Sequence, residues 1–425
     1  MDIRETVTGS KEQVRMEGWF SRWGRVGAAL AAGAALSLGA AGCGEMPGTG
    51  SAGDDSQVSG SSSALRCTAD PTSGDCPWKG TWARLLPHNN IDVTHNWAPT
   101  LIAGNPGWIT FTVDSTNHYR MLQWHANGRG PQWDFFGPSN LTWNSRLAAS
   151  LANDTLAQPT FVVAGKARSS DANNNRIMVS TGTMGASGQN PANPTQTTAF
   201  TLLDTNSAHT YATNGLPALA ASHDGSGGGS MVVTYFDDNG TTIYAHHRQL
   251  PYATHSWTGR LTGPGLPSGW KVVYAPTIAY SFPVFHIVVH ARNNTLNQDA
   301  LYETYFYFDG TNAFFSNETG SPVQGWKNQV VVPPSVGIND DPWITVSSAL
   351  GITAYFRSGT QIKETAYQSP INYLPVNPSA GISFASAPAG TGDYAFDMGT
   401  QVIVARTTSN QIYFHDTNQD SNLEP

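Results

Sequence analysis

The stretch SGWKVVYAPTIAYSFPVFHIVVHARNNTLNQDALYETYFYFDG, residues 268–310, decides the fold class of this chain. After a Gly-Trp pair it holds a Pro-Thr-Ile segment at Pro276 and three runs rich in Val, Ile, Tyr and Phe, at 272–280, 284–291 and 300–308. Turn residues separate the runs, and the residue types within them suit a pleated, half-buried surface. Taken alone, the stretch predicts a four-stranded antiparallel meander.

The Pro-Thr-Ile segment recurs with a period of about 59 residues, which is a repeat length typical of propeller blades. Five copies are centred on prolines, and a proline-free sixth copy lies near residues 392–395; the prolines are Pro99, Pro159, Pro217, Pro276 and Pro342. A single meander cannot bury both of its faces until neighbours stack around an axis. We therefore predict an all-β, six-bladed β-propeller of four-stranded antiparallel blades, each starting with its innermost strand at the proline.

The end of the chain predicts how the ring closes. Only a polar tail follows residue 416, so the sixth blade lacks an outer strand. Residues 79–87 resemble the segments around three later tryptophans and could supply that strand; the tryptophans are Trp82, Trp143, Trp270 and Trp326. We expect residues 79–87 to complete blade six, because an open ring would expose an unpaired edge. The four tryptophans are expected to start outer strands and to pack between blades.

The N-terminal region predicts export. An apolar run at 26–41 is short for a bilayer span and suits the core of a signal peptide. With Cys43 directly after Ala-Ala-Gly, the segment resembles a bacterial lipoprotein signal, which implies lipidation of Cys43 and a protein anchored to the bacterial membrane, facing the periplasm or the cell surface. Ala40 stands where such signals usually carry leucine, which leaves ordinary secretion as an alternative.

The domain organisation follows from these segments. Residues 1–42 are predicted to be the signal peptide, 43–66 a Gly/Ser-rich tether, 67–78 a lead-in, 79–416 the propeller and 417–425 a polar tail. In an exported protein Cys67 and Cys76 are expected to form a disulfide, with two free thiols as the alternative.

Composition and missing motifs exclude several functions. Charged residues make up 12% of the chain and the net charge is −8, with no basic stripe, so no nucleic-acid partner is expected. No Gly-x-Ser-x-Gly elbow and no phosphate-binding glycine loop occurs. His286 and His290 share one face of a predicted strand, but zinc would need a third ligand that the sequence does not indicate. We expect neither a metal nor a cofactor.

The loops after the second strands carry the most informative pattern. These strands are predicted at 108–113, 176–181, 231–236, 285–291, 351–356 and 402–405. Five of them are followed directly by a charged residue: Asp114, Asp237, Arg292, Arg357 and Arg406. Blade two breaks the register, and Arg168 joins this set only if its loop folds back.

The three arginines follow an aromatic residue or an alanine and precede a short polar turn and an aliphatic-aromatic strand, in repeats that also carry a Gly-Trp pair. This pattern resembles the blades of bacterial fucose-binding propeller lectins. The general blade is also similar to that of sialidase-like propellers. The resemblance implies carbohydrate held between adjacent blades, with Arg292, Arg357, Arg406 and Asp237 as ligand-binding residues. The structural alternative is that these arginines tie down neighbouring loop carbonyls with their five donors.

A sialidase-like glycoside hydrolase is the alternative from another class. It would need three arginines, a Tyr-Glu pair and an acidic residue. Glu303 and Tyr305, two residues apart on one strand face, could form the pair, with Asp114 or Asp238 as the acid. The aromatic-Arg-Ile-Pro segment of sialidases is absent, and Asn239-Gly240 is better explained as a hairpin turn. Carbohydrate binding is therefore the leading hypothesis, and a protein-binding scaffold without catalysis is the third.

Overall fold

In the computed structural model every described residue falls within Gln57–Pro425, the larger of two units into which the chain divides. The described residues are 82–87, 89–104, 107–125, 128–130, 132–137, 141–143, 145–153, 159–168, 175–185, 194–206, 216–223, 228–332, 337–347, 351–366, 374–375, 382–391 and 402–416. The predicted signal peptide, the tether, Cys43, Cys67, Cys76 and the polar tail lie outside them. Among these residues no helix has the length and apolar character needed to span a membrane.

Six antiparallel sheets account for the strands. Blade one contains Thr100–Gly104, Gly107–Val113, Tyr119–His125, Gly128–Arg129 and Asp134–Phe136. Blade two contains Thr142–Trp143, Ala148–Asn153, Thr160–Arg168, Ile177–Thr183, Thr195–Gln196 and Thr201–Leu202. Blade three contains Ala218–His223, Gly229–Phe236, Thr242–Leu250 and Leu261–Gly265, with a short 3-10 turn at Tyr252–Thr254.

The remaining three sheets follow the same plan. Blade four contains Trp270–Val272, Thr277–Ser281, Val284–Asn293, Gln298–Phe308, Ala313–Ser316 and Lys327–Val332. Blade five contains Trp343–Ser347, Gly351–Ser358, Gln361–Ala366 and Leu374–Pro375. Blade six contains Ala389–Thr391, Val402–Arg406, Ile412–Asp416 and the N-terminal strand Ala83–Arg84.

The innermost strands close into a ring. Each one contacts the innermost strands of the two neighbouring blades, and that of blade six contacts that of blade one. Ala83–Arg84 pairs with Ile412–Asp416 at the outer edge of blade six, with Ala83 opposite Phe414. Trp82 packs against Phe384 at a ring distance of 4.4 Å. The predicted six-bladed propeller and its closure by an N-terminal strand are therefore confirmed.

Because side chains alternate along each strand, the two faces of a sheet pack against different neighbouring blades. In the second strand of blade four, Phe285, Ile287 and Val289 are buried in an apolar cluster with side chains of blade three. The intervening His286 and His290 point to the opposite face, because successive side chains of a strand alternate. The apolar clusters thus lie between blades, where stacking neighbours removes both faces of each sheet from water.

Blade two corrects the predicted register. Pro159 does not start an innermost strand: Thr160–Arg168 is the second strand, and the innermost strand is the alanine-rich Ala148–Asn153. The run predicted as the second strand at 176–181 is therefore the third, Ile177–Thr183. In blade six the described part of the innermost strand is Ala389–Thr391, and the predicted copy at 392–395 lies outside the described residues. Alanine and glycine have low β-propensity, which hides both strands in the sequence.

The tryptophans also differ from the prediction in part. Trp143 and Trp270 lie in short strands that pair with the second strand of their own blade, ahead of the innermost strand, and not in outer strands. Packing between blades does occur, since Trp143 lies 4.5 Å from Tyr119 of blade one and Trp326 stacks on Phe236 of blade three. The Trp326 indole also donates to the carbonyl of Pro264 over 3.0 Å.

Candidate functional site at the centre of the loop face

One end of the propeller gathers most of the candidate residues. We call it the loop face: it carries the loops that enter the innermost strands and those that join second to third strands. The corrected register of blade two places Arg168 at the end of its second strand. Arg168 therefore occupies the same position as Arg292, Arg357 and Arg406. We call these four residues the strand-end arginines.

The strand-end arginines bond mainly to nearby loop groups. Arg357 pairs with Asp340 and donates to the carbonyl of Gly359 over 2.5 Å. Arg406 donates to Asn410 and, over 3.4 Å, to the carbonyl of Ala385. Such contacts order the turns after the second strands.

Arg292 is the most open of the three predicted ligand-binding arginines, with 46% of its side chain exposed. It donates to Asn297 over 2.9 Å and lies 3.7 Å from Asp299. Arg168 is exposed as well. Both side chains are therefore accessible from solvent at the rim of the face.

The aspartates of blades one and three organise turns. Asp114 accepts bonds from Thr116, His118 and Arg120, the last over 2.7 Å. Burial raises the pKa of Asp114, but these hydrogen bonds outweigh it and hold the pKa below its usual range. Asp237 faces the amides of Thr241 and Thr242 at 3.3 and 3.4 Å. Asn239-Gly240 forms the turn beyond it, with Gly240 at a φ of 67°, and Asp238 is exposed.

Glu303 and Tyr305 form the pair that the alternation predicts, but away from the loop face. The Tyr305 hydroxyl donates to Glu303 over 2.6 Å, and Nδ1 of His286 lies 2.6 Å from its other oxygen. Glu303 is only 1% exposed. It is four residues along the strand from Asp299, the partner of Arg292, which corresponds to about 14 Å. The pair is thus separated from Arg292 within blade four.

A buried ion pair crosses the axis of the ring at this face. Arg146 directly precedes the innermost strand region of blade two, Asp341 precedes that of blade five, and these blades lie opposite one another in a ring of six. Nη2 of Arg146 lies 3.2 Å from Oδ2 of Asp341. The other carboxylate oxygen accepts from the amide of Ala275 in blade four over 2.7 Å. Three blades are therefore joined through one carboxylate.

Aromatic and charged side chains surround this pair. The Arg146 guanidinium lies 4.9 Å from the centre of the Trp343 ring. Asp340 lies next to Asp341 and forms an ion pair with Arg357. Tyr274 is half-buried beside both aspartates. We call these residues the central cluster: Arg146, Tyr274, Asp340, Asp341, Trp343 and Arg357.

The pKa values of both aspartates in the central cluster are raised. Burial raises the pKa of Asp341 to about 6, in spite of the opposing charge of Arg146 and the bond from Ala275. Burial also raises the pKa of Asp340, outweighing Arg357. Desolvation disfavours the charged form of a carboxyl group, and the neighbouring aspartate adds to it for Asp341. Near neutral pH, Asp341 can therefore hold or release a proton.

A second polar pair lies at the edge of the central cluster. Nε2 of His290 is 2.8 Å from Asp299, and the His290 ring lies 6.0 Å from that of Tyr274. Burial lowers the pKa of His290 although Asp299 opposes this. Within the described part of the chain no group of His, Cys, Asp and Glu side chains could hold a metal ion.

Sequence reasoning missed the axial pair because of the register of blade two. With the innermost strands starting at Ala148, Thr277 and Trp343, the residues two positions earlier are Arg146, Ala275 and Asp341. Those are the three groups that meet in the structure. Aligning the blades on the correct innermost strand would have indicated them, because equivalent positions at the entrances of a propeller converge on its axis.

Comparison with known proteins assigns this chain to no family. No family model and no curated protein matches the chain. Among solved structures, the chain is similar to a fungal lectin from Aleuria aurantia described as a six-bladed β-propeller with a novel fucose recognition mode, with 13% identity, a TM-score of 0.45 and coverage of 76% of this chain and 93% of that one.

Two sugar-active enzymes show comparable similarity. An α-L-arabinanase from Penicillium chrysogenum, solved with arabinobiose, has 11% identity, a TM-score of 0.48 and coverage of 80% and 99%. An α-L-arabinofuranosidase from Fusarium graminearum has 11% identity, a TM-score of 0.46 and coverage of 80% and 98%. At identities this low, the similarities assign no activity to this chain.

Proposed function

We propose that this propeller binds carbohydrate at the central cluster on its loop face. The observation that carries the proposal is the Arg146–Asp341 pair across the axis, flanked by Trp343 and by Tyr274. Carboxylates and guanidinium groups supply acceptors and donors for sugar hydroxyls. Half-buried aromatic rings supply apolar area with a polar edge, suited to a ligand that is partly hydrated.

The central cluster competes with the strand-end arginines as the place of binding. Arg357 belongs to both, whereas Arg292 and Arg406 lie at the ends of other second strands. Arg406 is engaged by its own turn and by the loop before Ala389–Thr391. A ligand at the axis would instead contact side chains from several blades at once, which favours one binding site over several repeated ones.

A glycan array with the full chain tests both placements. We expect binding by the wild type, at least about tenfold weaker binding by a Tyr274→Ala variant, and unchanged binding by an Arg168→Ala control. Binding that survives Tyr274→Ala but disappears in an Arg292→Ala variant would move the site to the strand ends. No binding to any glycan would reject the carbohydrate proposal in favour of a protein-binding scaffold. Each variant needs a circular dichroism spectrum matching the wild type.

Glycoside hydrolysis is the second candidate, favoured by the two adjacent acids with raised pKa values. A general acid must carry its proton near the working pH, and Asp341 meets that condition. Release of reducing sugar from any glycan bound on the array, lost in both Asp340→Asn and Asp341→Asn, would establish hydrolysis. Binding without release would leave the protein a lectin.

Membrane anchoring through Cys43 belongs to the same proposal. The lipoprotein-type signal supports an exported, tethered protein whose loop face meets glycans outside the cytoplasm. Mass spectrometry of the mature N-terminus tests this: a diacylglyceryl group on Cys43 is expected. A mature chain that begins after a small residue and carries no lipid would show ordinary secretion. The same spectrum, read with and without reduction, would report whether Cys67 and Cys76 are joined.

A further inference from the structure

One nitrogen of the axial arginine, Nη1 of Arg146, has no hydrogen-bond partner among the described residues. Arg146 is only 5% exposed, yet its Nη1 makes no hydrogen bond with any described residue, while Nη2 pairs with Asp341. A buried N–H donor without an acceptor costs free energy, and the cost is larger when the donor belongs to a charged group than when it belongs to a neutral one. Strand hydrogen bonds and apolar clusters fix the backbone of the surrounding ring.

The charges around Arg146 do not balance. Arg146 and Arg357 face Asp340 and Asp341, and Arg406 adds positive charge close enough to oppose the protonation of Asp340. The Nε of Arg406 is buried and also lacks a partner among the described residues. Asp299 does not offset this excess, since it lies beside Arg292 and His290. The charges of three guanidinium groups, those of Arg146, Arg357 and Arg406, thus act on the two carboxylates of the central cluster, in a chain whose net charge is −8.

We propose that the central cluster takes an anionic glycan, and that Nη1 of Arg146 receives its carboxylate or sulfate group. This inference rests on the proposed function and specifies its ligand class. Because Asp341 holds the guanidinium on one side and Trp343 packs on its face, the direction of its buried, unpartnered N–H is fixed. Fixed, charge-assisted donors select planar carboxylates and sulfate oxygens over neutral hydroxyls.

Neutral sugars fit this arrangement less well. A hydroxyl acceptor would satisfy Nη1 but would leave the excess positive charge of the axis uncompensated. An anion satisfies both, and it enters a site whose low exposure limits screening by salt. The surface charge of the whole chain would slow such a ligand, so selectivity is expected in the dissociation rate more than in the association rate.

The test begins with an array of uronic-acid oligosaccharides, sulfated galactans and neutral glycans, applied to the full chain. Binding confined to acidic glycans is expected. Binding to neutral glycans alone would overturn this inference and leave the proposed function standing. No binding to any glycan would overturn both.

Titration calorimetry on the tightest acidic ligand then isolates the charge. For a uronate, the matched neutral form is the methyl ester. For a sulfated galactan, the matched neutral form is the desulfated galactan. The two sources of the anion are thereby distinguished. We expect the acidic form to bind at least about tenfold more tightly, the ratio expected for one charge-assisted hydrogen bond. Equal affinity of the two forms would overturn the proposal, and this comparison needs no variant.

Arg146→Lys addresses the residue itself. Lysine keeps the charge opposite Asp341 but lacks the forked second nitrogen. The acidic ligand should bind at least about tenfold more weakly, while affinity for the neutral form stays within about twofold. The exposed Arg168→Lys, in the same blade, serves as the matched control and should change neither affinity. An Arg146→Lys protein with wild-type affinity for the acidic ligand would overturn the assignment of Nη1.

Discussion

The axial arginine and the strand-end arginines use the same side chain in opposite ways. Arg146 is 5% exposed, joins blades on opposite sides of the ring and has one donor without a partner in the described part of the chain. Arg292 is 46% exposed, and its hydrogen bond and ion pair to described residues are both with its own hairpin. The difference shows that repetition along a sequence marks positions that serve each blade, whereas a residue that serves the whole ring need occur only once.

The largest expected difference is in stability. Arg146→Met should lower the free energy of unfolding at pH 7 by about 3 kcal/mol, because it leaves the buried Asp341 without its counter-charge. An Arg146→Met, Asp341→Leu double variant should recover much of that loss. Urea unfolding followed by tryptophan fluorescence measures both, with Arg168→Met as the control. A loss no greater than that of the control would mean that the axial pair contributes nothing.

The second difference is in pH dependence, and its sign follows from the raised pKa of Asp341, about 6. The unfolded chain releases this proton near pH 4, so the folded state holds it more tightly, and stability from this group is present below about pH 4 and is lost as pH rises through about 6. The loss amounts to about 3 kcal/mol.

Asp341→Asn isolates that contribution, because asparagine can still accept the Ala275 amide but does not titrate. The stability of the variant relative to wild type should rise by about 2 to 3 kcal/mol between pH 4 and pH 7. Urea unfolding at several pH values within this window measures the difference. A difference that stays constant with pH would show that Asp341 has an ordinary pKa in the folded protein.

Much of the fold follows from the sequence, and the failures have local causes. The regular blade around Pro276, the six-fold repeat and the closure by Ala83–Arg84 are confirmed. Blade two was misaligned because Pro159 matches the repeat although it precedes a second strand, while the true innermost strand, Ala148–Asn153, lacks branched and aromatic residues.

The same error hid the central cluster. An innermost strand placed at Pro159 removes Arg146 from the entrance of blade two, and with it the equivalence to Asp341. The conjunction of Trp343, Tyr274 and Arg146 depends on closing the ring, a non-local condition that no single repeat displays. Features that depend on short-range geometry were predicted correctly from the sequence: the Asn239-Gly240 turn and the pairing of Glu303 with Tyr305.

Arg357 is both a strand-end arginine and a member of the central cluster, so we expect its substitution to have an intermediate effect on stability. Its ion pair with Asp340 is partly exposed, at 19% and 22%, so solvent screens it. We expect Arg357→Ala to cost about 1 kcal/mol in urea unfolding, from the ion pair and the lost bond to the Gly359 carbonyl. Arg357→Lys should cost less because it keeps the charge. A cost as large as that of Arg146→Met would place Arg357 among the residues that hold the ring.

Arg292 gives the smallest expected effect on stability and the sharpest functional comparison. Because its side chain is 46% exposed, Arg292→Ala should change the free energy of unfolding by no more than about 0.5 kcal/mol. Any change in glycan binding by this variant would therefore reflect ligand contact and not altered folding. Unchanged binding, measured by calorimetry beside Tyr274→Ala, is the result expected if the ligand lies at the axis. A loss in Arg292→Ala with wild-type binding in Tyr274→Ala would instead assign recognition to the rim, blade by blade.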